Sequence, residues 1–157
     1  MRGRILLLTA IAGAVAATGA NAAMDGPARA PSPPTRLHVI EHAVTDVVTD
    51  TGARGDSAGD LLTFHNAVFD AGDTHRVGRD IGDCIRVVTG PAGAWECRWT
   101  TILRRGAITV EGPFFDTHPS TLAVTGGTGR FRAARGEMRL RPRDGGAAFD
   151  FVFLLQR

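Results

Sequence analysis

Short runs of period-two alternation, separated by Gly, Asp and Pro, extend from about residue 36 nearly to residue 157, and they constrain this chain more than any other feature. Successive strand side chains point to opposite faces, whereas a helix needs apolar residues three and four apart, and hardly any stretch here has that period. The runs lie near 37–48, 60–70, 83–89, 95–104, 107–112, 120–125, 136–142 and 148–156. Eight short strands at such regular spacing form a sandwich or a barrel. Alternation also assigns faces. Leu62, Phe64, Asn66 and Val68 share one; Trp95, Cys97, Trp99 and Thr101 share another, with Glu96 and Arg98 turned away; Phe149, Phe151, Phe153 and Leu155 align on the last strand. The expected fold is all-β, an eight-stranded antiparallel closed barrel with an apolar lumen. A barrel of this size is either filled by its own side chains or holds one small ligand, and alternation does not separate the two.

Residues 1–22 have the form of a secretion signal. Arg2 and Arg4 precede an uncharged run from Ile5 to Ala17, and Ala20-Asn21-Ala22 is a small-x-small cleavage site. That run is shorter than the roughly 20 residues of a spanning helix, and no later segment approaches this length. An exported mature form starting near Ala23, without a membrane span, is expected. Residues 23–35, with Pro27, Pro31, Pro33 and Pro34, disfavour both helix and ladder pairing and read as a flexible lead-in to a domain over 36–157. Arg2 and Arg4 account for the formal charge of +2, so the remainder is balanced and offers no reason to expect a nucleic-acid partner. All basic side chains are arginine and tyrosine is absent, which excludes lysine Schiff-base and tyrosine acid chemistry.

Cys84 and Cys97 flank the turn-rich stretch Thr89-Gly90-Pro91-Ala92-Gly93-Ala94. In an exported chain they read as a cross-strand disulfide, the alternative being two buried thiols; two cysteines supply only half a tetrahedral metal site, and none is expected. The glycine cluster Thr125-Gly126-Gly127-Thr128-Gly129 could cradle a phosphate only with a helix directly after it. A strand follows instead, so the segment reads as a tight connection whose glycines supply positive φ. His38, His42, His65, His75 and His118 have neither triad nor metal spacing and read as structural or surface residues.

Further segments occur in a fixed order: Gly59-Asp60-Leu61-Leu62-Thr63-Phe64-His65-Asn66, Arg76-Val77-Gly78, Gly82-Asp83-Cys84, Ile108-Thr109-Val110-Glu111-Gly112-Pro113-Phe114, and Leu122 through Gly129. In that order and spacing the chain resembles the allene oxide cyclases over roughly residues 37–156, with the dirigent proteins as more distant relatives. The resemblance implies an eight-stranded barrel whose hydrophobic cavity closes an unsaturated fatty-acid epoxide to a cyclopentenone, with no metal or organic cofactor. The implied partner is a small apolar ligand. A homo-oligomer is also implied, since plant cyclases assemble as trimers.

Carried over position by position, Val39-Ile40-Glu41-His42-Ala43 matches the first strand and puts Glu41 in the place of the family's catalytic acid. A carboxylate in an apolar lumen would stabilise a developing cation, its pKa raised by desolvation and lowered by the hydrogen bonds it accepts. Leu62, Phe64, Asn66, Cys84, Trp95 and Phe114 match positions that line the family's cavity. Cys97 is not cysteine in the plant proteins and reads as an addition suited to export. Ala43 stands where the plant enzymes carry a water-binding asparagine, and no Ser-Pro pair lies between Thr51 and Gly59. Arg86 shares the Cys84 face, so it either sits at the rim or needs a carboxylate, with Glu41 or a ligand acid as candidates. Arg132 and Arg135 follow the glycine-rich turn as arginines do in dirigent proteins. The expected function is a cofactor-independent cyclase or isomerase; the alternatives are a dirigent-like barrel that binds an apolar molecule without catalysis, and a structural barrel with a filled interior.

Overall fold

The structure, a computed structural model, describes residues 33–156. The expected secretion signal and all but the last three residues of the lead-in lie outside the described residues. Ten strands occur in order: β1 (Thr35–His42), β2 (Val47–Thr49), β3 (Leu61–Phe64), β4 (Ala67–Asp70), β5 (Arg76–Val88), β6 (Ala94–Leu103), β7 (Gly106–Phe115), β8 (Ser120–Gly127), β9 (Arg135–Arg143) and β10 (Ala148–Gln156). All ladders are antiparallel. They run β2-β3-β5-β4-β1-β10-β9-β8-β7-β6, and β5 also pairs with β6, which closes the sheet. β3 and β4 lie end to end along β5, and β2 and β1 flank them in the same way. The ten segments therefore make the eight staves expected from the sequence.

Two of the eight expected strands are interrupted. Residues 37–48 break after His42, because the amides of Val44 and Thr45 bond to the Asn66 side chain and not to a neighbouring strand. Residues 60–70 break at His65 and Asn66 for the complementary reason. The fifth strand starts at Arg76, seven residues earlier than alternation placed it. Its inward positions there are Gly78, Asp80 and Gly82, which give no apolar signal to read.

The assigned faces hold. Trp95, Cys97, Trp99 and Thr101 are buried while Glu96 and Arg98 are exposed, and Phe151, Phe153 and Leu155 pack inward with Phe149 half-buried. Their core neighbours include Ile108, Val110, Leu122, Val124 and Met138. Burying an aliphatic or aromatic side chain of this size stabilises by roughly 1.5–3 kcal/mol, which is why the inward set decides the register. In the glycine-rich turn only part of the expected reasoning applies. Gly129 has φ +56°, but Gly127 is needed for space, since a Cβ there would stand 2.4 Å from the Phe131 carbonyl oxygen. Residues 129–131 form a single 3-10 turn, with no helix behind the glycines.

Candidate functional site

Glu41 occupies an inward position of β1, opposite Phe149 on one side and Val68 on the other, and is 4% exposed. A carboxyl held among such neighbours must be hydrogen-bonded or protonated. Its partner is Asn66, whose Nδ2 donates a short hydrogen bond to Glu41 Oε1. The same nitrogen donates to Asp46 Oδ1 at 2.6 Å. Asn66 Oδ1 accepts from the amides of Val44 (3.1 Å) and Thr45 (2.9 Å) and from the Thr45 hydroxyl (2.8 Å). An amide is the one neutral side chain with two donors and a two-lone-pair acceptor on a single rigid plane, so only asparagine or glutamine can pin two bends and orient two acids at once.

A third carboxyl stands behind Asn66. Asp80 Oδ1 accepts the Asn66 amide N–H at 3.1 Å, and the Asp80 N–H donates to the Asn66 carbonyl at 2.9 Å. Burial, then the negative charge of Asp80, push the Glu41 carboxyl up to about 8, against the lowering effect of the Asn66 hydrogen bond. Burial likewise pushes Asp80 up, to about 7. Among the described residues, neither acid has a basic partner in an ion pair.

A cavity of about 40 Å³ adjoins Glu41, bordered by Asp46, Leu62, Phe64, Cys84, Cys97, Trp99, Phe114, Leu140, Phe149 and Phe151. Of the residues expected to line it, Glu41, Leu62, Phe64, Cys84 and Phe114 do so. Asn66 is the hub beside it, and Trp95 packs against Arg86, whose guanidinium carbon lies 4.9 Å from the indole centroid. Phe114 and Phe149 meet edge to face across the cavity, with centroids 5.7 Å apart. Cys84 and Cys97 are direct cross-strand partners and form the disulfide.

Arg86 is buried and its carboxylate partners are Asp56 and Asp116, not Glu41. Its Nε and Nη2 reach Asp56 at 2.7 and 3.1 Å, and its Nη1 reaches Asp116 at 2.6 Å. Asp116 also accepts from Trp95 Nε1 at 3.2 Å, and Asp56 from the Gly90 amide at 2.9 Å. This network ties the 50–60 segment to the β5–β6 turn and to the end of β7. Each of the three guanidinium nitrogens is held by one of these carboxylates, so Arg86 is a strut. His38 and His42 bond Asp150 and Asp73, each at 2.7 Å. Among the described residues, no three His, Cys, Asp or Glu side chains are grouped to hold a metal ion, and no helix is long and apolar enough to cross a membrane.

Sequence reasoning missed Asp46 and Asp80. Counting back by twos from the inward Cys84 would have reached Asp80; Asp46, in a turn, left no such signal. The arrangement as a whole is a buried acid, oriented by an amide, facing an apolar space, and it suits proton donation to an oxygen of an apolar guest.

Solved structures with this barrel include a pyocyanin demethylase, 24% identical over 76% of this chain and 100% of that one, with a TM-score of 0.66. A pterocarpan synthase dirigent protein is 15% identical over 82% of this chain and 98% of its own, with a TM-score of 0.66. An exo-specific intermolecular Diels-Alderase is 15% identical over 78% and 99%, with a TM-score of 0.62. At these identities the likeness establishes the fold. The sequence model of one family, allene oxide cyclase, matches residues 41–146, from the buried acid of β1 to the turn before β10. With two-thirds of its length so matched, the chain belongs to the allene oxide cyclase family.

Proposed function

We propose that this barrel catalyses the cofactor-independent cyclisation or isomerisation of a small, apolar, unsaturated molecule, a fatty-acid epoxide being the type, with Glu41 as the acid. The observation that carries the reading is the Glu41 carboxyl, buried beside a cavity otherwise bordered mainly by aromatic and aliphatic groups and a disulfide. Below about pH 8 this carboxyl holds its proton, so it acts first as a hydrogen-bond donor to an epoxide-like oxygen. As the carbon–oxygen bond opens, the proton passes to that oxygen; the carboxylate left behind keeps its bond from Asn66 and faces the developing cation. The cation closes by forming the ring carbon–carbon bond, and return of the proton from that oxygen to Glu41 leaves the product carbonyl; the isomerisation neither gains nor loses electrons and so calls for no redox partner. Leu62, Phe64, Cys84 and Phe114 supply shape and exclude water.

The cavity has room for only about three waters, at roughly 10–15 Å³ each. A larger guest is admitted by turning Phe114 and Phe149 out of their edge-to-face contact. The disulfide supports an oxidising, extracytoplasmic location. The outer face of β5 exposes Val77, Ile81, Ile85 and Val87, a surface suited to self-association in an oligomer.

The test uses an unsaturated C18 allene oxide generated in situ, with cyclopentenone as the scored product. Glu41→Gln is expected to slow cyclisation about 100-fold or more, the usual scale for losing a positioned acid. Unchanged turnover by this variant would overturn the role given to Glu41. A second reading, a dirigent-like binding barrel, is favoured by Ala43: its amide bonds the Ala147 carbonyl and its side chain offers nothing to hold a water. That reading predicts saturable quenching of Trp99 by the fatty acid with no product above background.

A further inference from the structure

Glu41, Asp46 and Asp80 all accept hydrogen bonds from Asn66, the first two from its side chain and the third from its main chain. Three anions around one neutral residue would repel strongly in a buried setting, and no arginine or histidine pairs with any of them among the described residues. The charged and titratable groups around this centre are Asp46 from the turn after β1, Asp80 from β5, and His65, which reaches it only through the Thr45 hydroxyl at 2.9 Å. From β6 the facing groups are the neutral Thr101 and Trp99.

A second observation is independent of the acids' bonding to Asn66. Asp80 Oδ2 and Thr101 Oγ1 are both fully buried and neither has a hydrogen-bond partner among the described residues. They are direct cross-strand partners, Asp80 on β5 opposite Thr101 on β6, and both residues are 0% exposed. Two polar atoms so placed on cross-strand partners and not bonded to each other are the setting in which a buried water bridges; without one, each would bear a desolvation cost that native interiors rarely leave unmet.

We propose that Asp80 and Thr101 hold a buried water behind Asn66, and that Asp80 thereby acts as a positioning residue which keeps the Glu41 carboxyl a neutral acid. The proposal rests on the reading of Glu41 as the acid, and it adds where the restraining charge sits. In its charged form, which the Asn66 amide and the water favour against burial, Asp80 opposes a second negative charge at Glu41. The rigid amide between them fixes the geometry through which that opposition acts. Asp46, at the cavity border, adds to it from the other side.

The experiment follows the carboxyl carbons by NMR in the full chain labelled at Asp and Glu, with Glu41→Gln identifying the Glu41 signal. Asp80→Asn keeps the shape and removes the charge, and the Glu41 midpoint is expected to fall by about one pH unit or more. Thr101→Val keeps all three carboxyls and removes one side of the water site, so the Asp80 midpoint is expected to rise. A Glu41 midpoint unmoved by Asp80→Asn overturns the positioning role, and an Asp80 midpoint unmoved by Thr101→Val overturns the shared water. Should Asp80→Asn fail to fold, the Thr101→Val titration and a crystal structure of the native protein, showing or lacking a water between the two side chains, decide the point. None of these readouts needs turnover, so they are separate from the fate of the cyclase reading, which is judged by product formation in Glu41→Gln.

Discussion

Removing either side of the Arg86 network deletes the same ion pairs, yet the two deletions are expected to differ in cost. The Arg86 side chain is 6% exposed, while those of Asp56 and Asp116 are 45% and 31% exposed. Arg86→Met takes away the buried charge and keeps most of the apolar stem over Trp95; the two aspartates, already near water, rehydrate. Lost charge-assisted bonds, offset by the desolvation no longer needed, leave a destabilisation of about 1–2 kcal/mol. Asp56→Ala with Asp116→Ala instead strands the guanidinium in a buried site without a counter-charge, which costs about 3–5 kcal/mol. The triple variant should lie between the two, because without the cation the aspartates forfeit only the bonds they accept from the Gly90 amide and Trp95 Nε1. Urea unfolding followed by tryptophan fluorescence measures all four proteins. At a slope of about 2 kcal/mol per molar, the Arg86→Met and double-aspartate midpoints should differ by about 1 M, the slope itself unchanged. Equal midpoints for these two variants, or a triple variant less stable than both, would refute the reasoning.

Stability should also fall as pH rises. Glu41 titrates near 4.5 unfolded and about 8 folded, so between those values the folded chain holds a proton that the unfolded chain has released; the raised Asp80, about 7 against 3.8, acts in the same direction. Urea midpoints should therefore decline from about pH 5 to pH 8, and Glu41→Gln with Asp80→Asn should flatten that decline. Replacing both Cys84 and Cys97 by alanine frees a loop spanning 13 residues of separation and should cost about 3 kcal/mol in the same assay; a loss under about 1 kcal/mol would mean that the unfolded hairpin is already restrained. In Gly82→Ala the new Cβ would lie 2.3 Å from Trp99 Cβ and 2.7 Å from the Arg98 carbonyl oxygen. Two adjacent strands must then part beside the cavity, lowering stability by about 1–3 kcal/mol or more and changing the Trp99 emission.

The barrel was legible because its inner face is written at period two: Leu62 to Val68, Trp95 to Thr101 and Phe149 to Leu155 each declare a side without any distant information. The site was legible only where one residue sufficed. Glu41 could be placed by its surroundings in β1 and by the family resemblance. What binds it could not, since Asn66 gathers groups 14 to 25 residues away in sequence, from Asp80 to Glu41. Polar inward positions are the general blind spot. Asp80 interrupts the apolar face of β5, so alternation mistakes the strand's first half for a loop, although the interruption is what makes the strand interesting. Arg86 shows the same limit: a buried cation announces its need for acids, but Asp56 and Asp116 lie 30 residues away on either side.

Pairing of β1 with β10 sets Thr35 opposite Leu155, so two neighbouring staves come from segments more than a hundred residues apart. β5 through β10 form a meander of neighbouring hairpins that can zip in sequence, whereas β1 must find its place after most of the chain has been ordered. Folding is thus divided into a fast local half and a slow, entropy-limited seam. Glu41 lies on that seam, opposite Phe149, so the acid meets the aromatic wall of its cavity only when the seam joins. A chain stalled before this step would display paired hairpins and the disulfide while lacking the site, and time-resolved folding should see the two events apart.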